Sequence, residues 1–341
     1  MPNSEVIYFL KRFFQKLGIF ILLCILFIII YIMRDPYYEF GSHNNDNLKY
    51  YFHNPGEIAV KKLENRKSNY NTFIFGSSRS FPIYACYSKY KLFNSQKTIP
   101  FNFLNWSENI CGIYQKINYL DKNGYTLNHA IILFDNSITF KGNGEINPYD
   151  HYKLTGNSKY YDIYKHMTNF FLYSGKKLTQ NLRILVGIPQ ESELGKSDDL
   201  SNDLYHTCNR ITDQKKFDSL YNIKNHPLNN EINNLYPRSN QLVRNKSQIA
   251  NKEFNYLRSI KKILQKHHTN YIIVYAPMYN QRKINLKDEK TIESIFGKKN
   301  IVDFSGINQI TENKHFYSSD IHYYPIVGKM IVDSIAKLKK N

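Results

Sequence analysis

Three short runs constrain the fold more than any other feature of this chain. Thr72 to Phe75 (TFIF), His129 to Asp135 (HAIILFD) and Tyr271 to Ala276 (YIIVYA) are apolar without polar alternation. A strand with one wet face alternates apolar and polar residues, whereas a strand covered on both faces does not. Helical periodicity separates these runs. Ile110, Ile113, Ile117 and Leu120 line one face of a helix over Ile110 to Asn123, which ends near Gly124, a C-cap residue. Ile249, Phe254, Leu257, Ile260 and Leu264 do the same over Ser247 to His267. Lys97 to Phe103 and Ile301 to Phe304 read as further strands, and Glu289 to Phe296 and Ile326 to Leu338 as further helices. Such alternation predicts an α/β fold with a mainly parallel sheet between two helical layers.

The N-terminus carries a different signal. Leu17 to Met33 is almost wholly apolar and uncharged, and Phe13 and Phe14 extend it to the length of a bilayer span. Lys11, Arg12 and Lys16 precede the run, so the N-terminus is expected inside the cytoplasmic membrane and the rest outside. A cleaved signal peptide is the rival reading. Its apolar region is normally shorter and ends in small residues, but this run ends in Ile-Ile-Ile-Tyr-Ile-Met-Arg. The expected organisation is therefore a cytoplasmic segment at 1–16, a single-pass anchor in the lipid bilayer at 17–33, and a linker at 34–70 with a short helix at Ile58 to Asn65. One α/β domain follows at 71–341, with an irregular insertion at about 144–245 that frames a site and holds helical stretches at Tyr160 to Tyr173 and Lys216 to Leu220.

Charge and cysteine narrow the partners. The net charge of +18 comes from scattered lysines in a chain that also holds 29 tyrosines, which is a compositional bias rather than a basic patch. Nucleic acid is not expected as a partner; an acidic glycan or a membrane surface fits better. Cys24 lies in the span. Cys86, Cys111 and Cys208 have no metal-ligand spacing, and a Cys86–Cys111 bridge is the one disulfide considered, against three buried thiols. No cofactor or metal is expected.

Two motifs carry the chemistry. Gly76-Ser77-Ser78-Arg79 follows the first apolar run, at the carboxyl edge of a parallel sheet, where ligands bind. Glycine permits a sharp turn there, and a serine that opens a helix either caps it or stands beside its free N–H groups. Ser319-Asp320-Ile321-His322 precedes a last helix that begins near Pro325. An aspartate near a histidine can fix its tautomer while the other ring nitrogen faces a hydroxyl. Pro277 and Tyr279 leave the sheet on the same edge and are expected, with Arg79, to line the site.

At these residues the chain resembles the SGNH, or GDSL-like, hydrolase family. Gly76-Ser77-Ser78 looks like its first block, with Ser78 in the nucleophile position and Ser77 where the family often has Asp. Asn102 to Gly112 is similar to the second block, and Gly112 matches the residue that supplies an oxyanion N–H. Phe134-Asp135-Asn136 looks like the third block, with Asn136 as side-chain oxyanion donor. Asp320 and His322 resemble the last block. The spacing here is D-x-H where the family commonly has D-x-x-H, which is similar to the alginate O-acetylation proteins; the GSS of the first block looks like the D-alanine-transfer protein of teichoic acid. The third block lacks the usual Gly before Asn-Asp.

The resemblance implies an SGNH-like fold and a Ser78–His322–Asp320 triad, with an oxyanion hole of Ser78 N–H, Gly112 N–H and Asn136. Asp303, in Val302-Asp303-Phe304, reads as a strand-end turn residue and is the runner-up orienter. The resemblance also implies a membrane-anchored esterase or O-acyltransferase that moves an acyl group, acetyl above all, on a cell-surface polysaccharide. Partners would then be the acylated polysaccharide or acyl donor and, in a complex, a membrane acyltransferase. The alternative is a non-catalytic glycan-binding or scaffold protein of a polysaccharide-modifying complex.

Overall fold

The computed structural model describes residues 4–35, 40, 59–60, 63–64, 70–93, 97–135, 138–141, 151–172, 179, 182–183 and 235–338. The chain divides into two compact units. One comprises Met1–His53 with Tyr160–Ser197, and the other Asn54–Lys159 with Asp198–Asn341.

In the first unit, helix α1 (Ser4–Arg34) carries exposed apolar side chains around its circumference. Ser4–Met33 is long and apolar enough to cross a membrane. This unit also takes in nearly all of the helix Lys159–Leu172, whose Tyr160, Tyr161 and Tyr164 are exposed. It matches the expected helix at Tyr160 to Tyr173. The other expected helix of the insertion, Lys216 to Leu220, lies outside the described residues.

The second unit is built on five parallel strands in the order β2-β1-β3-β4-β5. They are β1 (Thr72–Phe75), β2 (Pro100–Asn102), β3 (His129–Phe134), β4 (Asn270–Tyr275) and β5 (Ile301–Asp303). Phe73 pairs with Phe101 on one side and Ala130 on the other, and Phe134 pairs with Tyr275. The unbroken apolar runs follow from burial on both faces. Phe73, Phe75, Ile132, Phe134 and Ile273 point into one cluster, filled from α2 (Ile110–Lys122) and α3 (Asn251–Lys266) by Ile113, Ile117, Leu257 and Leu264. Ile74, Ile131, Leu133 and Val274 point into a second cluster, filled from α4 (Pro325–Leu338) by Val327, Ile331 and Ile335. Each such side chain contributes roughly 2 kcal/mol when buried, so a polar residue on either face would be costly.

Several element ends differ from expectation by a few residues. The second strand begins at Pro100 rather than Lys97, and a helix spans Leu286–Phe296 rather than starting at Glu289. Asn285 caps that helix through the Lys287 N–H at 2.9 Å, a signal lying outside the apolar pattern. Within the linker, residues 59–60 and 63–64 are helical, and Ala59, Val60 and Leu63 pack into the first cluster.

The order 2-1-3-4-5 reverses direction between β1 and β3. That switch point opens a crevice at the carboxyl ends of these two strands. Gly76 leaves β1 there with φ of 153°, and a Cβ at this position would lie 3.0 Å from Leu133 Cβ. Glycine is needed both for that backbone and for that approach.

Candidate functional site

Ser77 and Ser78 have separate duties. Ser77 is buried; its hydroxyl donates to Asp135 Oδ2 at 2.7 Å and accepts from Arg79 N–H at 3.3 Å, capping a short 3₁₀ turn. Ser78 is half-buried, and its Oγ stands 2.9 Å from His322 Nε2. The two motifs therefore meet in space at the switch point.

Arg79 holds them together. Its Nε donates to Ile321 O at 2.8 Å, and Nη1 pairs with Asp135 Oδ2 at 2.7 Å, with both side chains almost wholly buried. Its carbonyl accepts from the buried Tyr323 hydroxyl at 2.5 Å. Asp135 follows β3 directly, and its Oδ1 accepts from Ile138 N–H at 2.7 Å. A buried ion pair needs such extra hydrogen bonds to offset desolvation. Arg79 thus lies behind the site rather than lining it.

The histidine loop is closed on itself. His322 O accepts from the N–H groups of Ser318 and Ser319 at 3.0 and 3.3 Å, while Ser319 Oγ accepts from His322 N–H at 3.1 Å. These bonds make Asp320 and Ile321 the exposed apex of a turn. The expected Asp320–His322 hydrogen bond is therefore absent; the short D-x-H spacing sends the carboxylate out to solvent. Among the described residues, the polar atom at His322 Nδ1 is Ser319 Oγ, at 3.5 Å. Asp303 does not take the role either. It pairs with Lys283 Nζ at 2.7 Å and accepts from Ser305 N–H at 2.7 Å.

Burial, and then the Arg79 cation, hold the His322 imidazole below its usual value of 6.5; Asp320 and Asp135 act in the opposite sense but do not prevail. A neutral imidazole beside a hydroxyl can accept its proton near neutral pH.

Other expected site residues lie elsewhere. Gly112 sits in the first turn of α2, and its N–H donates to the cap residue Asn109 at 3.0 Å. That N–H is committed to the helix start and is not offered to a ligand beside Ser78. Asn136 lies outside the described residues. Tyr279 is core rather than lining: it is fully buried, its hydroxyl donates to Tyr236 O at 3.0 Å, and Arg238 stacks over its ring at 4.6 Å. Glu108, within the Asn102 to Gly112 stretch, forms a fully buried ion pair with Lys116. Cys86 is disulfide-bonded, but Cys111 keeps its thiol, so the considered Cys86–Cys111 bridge does not form.

Sequence reasoning gave no role to Asp135 or Ser319. Asp135 at the end of an apolar run, and Arg79 one residue past a candidate nucleophile, were the available signals for a buried pair. Ser319 had none. Within Asn102 to Gly112, two buried residues adjoin the nucleophile turn: Asn102 Nδ2 donates to Ser80 O at 3.2 Å, and Asn105 N–H donates to Gly76 O at 3.3 Å.

No protein-family model matches the chain, and no curated protein matches it.

Proposed function

We propose that this protein is a membrane-anchored, SGNH-like serine esterase or O-acyltransferase that acts on acyl esters, acetyl above all, of a cell-surface polysaccharide. One observation carries the reading: Ser78 Oγ lies 2.9 Å from His322 Nε2 at the carboxyl edge of a parallel sheet, beside its switch point. In the mechanism, His322 accepts the Ser78 proton and Ser78 Oγ attacks the ester carbonyl. The Ser78 N–H, at the start of its 3₁₀ turn, would face the oxyanion, a contribution of roughly 3 kcal/mol per donor. His322 then returns the proton to the departing alcohol. Water or a sugar hydroxyl resolves the acyl-enzyme, giving hydrolysis or transfer.

The apolar helix α1 serves as the anchor in this reading, with Lys11, Arg12 and Lys16 on the cytoplasmic side. The disulfide at Cys86 fits an oxidising compartment for the α/β unit. The three-layer SGNH arrangement suits helices that supply both core clusters.

A non-catalytic glycan-binding or scaffold role is the second reading. It draws on the lack of a carboxylate at His322 Nδ1 among the described residues and on the engaged Gly112 N–H. Fluorophosphonate labelling and acyl-ester hydrolysis by the full chain in detergent, with Ser78→Ala alongside, separate the two. Labelling and hydrolysis that vanish in Ser78→Ala support the enzyme; equal signals in both proteins sink the nucleophile assignment.

A further inference from the structure

Resting on the serine-hydrolase reading above, we propose that Ser319 is the positioning residue for His322, so that the site works as a Ser78–His322–Ser319 relay with Asp320 outside it. Ser78 Oγ occupies Nε2, which must be unprotonated to act as a base, so the ring proton sits on Nδ1. Among the described residues, the polar atom facing Nδ1 is Ser319 Oγ at 3.5 Å. Ser319 Oγ also accepts from His322 N–H at 3.1 Å, which fixes the hydroxyl relative to the ring and leaves its second lone pair for Nδ1–H; Ile321 N–H lies farther off at 3.4 Å. The contact to Nδ1 is long, as catalytic hydrogen bonds often are before substrate binds.

Charge makes a neutral partner workable. Three charged groups act on the ring: Arg79 beside the loop, Asp320 at its apex and Asp135 at the end of β3. Asp135 is already paired with Arg79, and Asp320 is exposed, where solvent screens it. When the imidazole takes the Ser78 proton, its Nδ1–H is held by an uncharged oxygen. The imidazolium is then less favoured than beside a carboxylate, and the proton passes on readily to the leaving group. No atom beyond the Ser78 proton moves in this step.

The test is the rate of fluorophosphonate labelling against pH for the full chain in detergent. Wild type, Ser319→Ala, Ser319→Thr and Asp320→Asn are compared. Ser319→Ala should lower the plateau rate at least about 10-fold, since the proton-transfer geometry is lost. Ser319→Thr, which keeps the hydroxyl, should restore most of it. Asp320→Asn should stay within about 3-fold of wild type, as expected of an exposed charge, with its midpoint moved to lower pH. A Ser319→Ala rate equal to wild type overturns the proposal. So does an Asp320→Asn loss as deep as that of Ser319→Ala, or a Ser319→Thr protein that stays impaired. A wild-type protein that takes no label at all defeats the hydrolase reading itself, which distinguishes that failure from this one.

Discussion

Arg79 Nε donates to the carbonyl of Ile321 at 2.8 Å, so the residue after Ser78 grips the residue before His322. The same arginine pairs with Asp135 at 2.7 Å and accepts from Tyr323 through its own carbonyl. Three chain segments distant in sequence are thus registered by one buried side chain. Lysine's donors all sit on one ammonium nitrogen, so it lacks the planar fork that reaches Ile321 O and Asp135 at once.

Arg79→Lys and Arg79→Ala should both slow labelling of Ser78, with Ala the worse. Arg79→Ala leaves Asp135 buried without its partner, at a cost of about 3–5 kcal/mol in stability. It also removes the cation that lowers the His322 pKa, so the reactivity midpoint should move to higher pH. Denaturant melts and a pH series of labelling rates measure the two effects separately. Unchanged stability in Arg79→Ala would contradict the latch.

The wild-type pH profile follows from the sign of the His322 shift. The folded imidazole lies below 6.5, so Nε2 is free to accept a proton across the neutral range. Labelling should be flat above about pH 7 and fall only below about 6.5. Stability moves in the same direction. Above that range neither state is charged at this residue; below it the unfolded chain takes up the proton first, so this group's penalty grows as pH falls from 6.5 through the folded value. A midpoint above 6.5 would mean that Asp320 outweighs burial and Arg79.

Among the described residues, Glu108 and Lys116 form another deeply buried ion pair of the second unit, on the loop into α2 and on the helix itself. Glu108→Ala should destabilise the protein by about 3–5 kcal/mol, while a paired Glu108→Leu, Lys116→Met replacement should recover most of that loss. Thermal melts of the three proteins test this. Labelling per folded molecule should be unchanged, because the pair is structural.

Gly328 gives the sharpest packing test. A Cβ there would lie 1.9 Å from the carbonyl oxygen of Pro82, in the segment just after the nucleophile turn. Backbone cannot yield as a side-chain tip can, so α4 would have to move away from the site loop. Gly328→Ala should cost about 1–3 kcal/mol or more and reduce Ser78 labelling as well. A variant as stable and reactive as wild type would show that α4 shifts freely.

Much of the fold was legible because its cause is local. Unbroken apolar runs such as TFIF and HAIILF required strands covered on both faces, and their spacing left room only for helical crossovers. The nucleophile turn was legible too, through Gly76 and the serines after it. The D-x-H motif places a carboxylate two residues from His322 along the chain, yet in the structure Ser319 faces the ring and Asp320 is exposed. Residue spacing gives distance along the chain, whereas a closed turn decides which side chains face inward. Here the backbone bonds between Ser319 and His322 turned Asp320 outward and Ser319 inward.

By itself, then, the sequence determined an apolar N-terminal helix, a parallel α/β sheet and a serine turn at its carboxyl edge, because each follows from periodicity and glycine chemistry within a few residues. Only the tertiary structure decided that Ser77 is tied to Asp135, that Ser319 rather than Asp320 faces His322, that Arg79 and Asp135 are buried together, and that Gly112 is committed to its helix cap. These are choices among competing hydrogen-bond partners. They are settled by which groups the fold removes from water and so obliges to find a partner inside the protein.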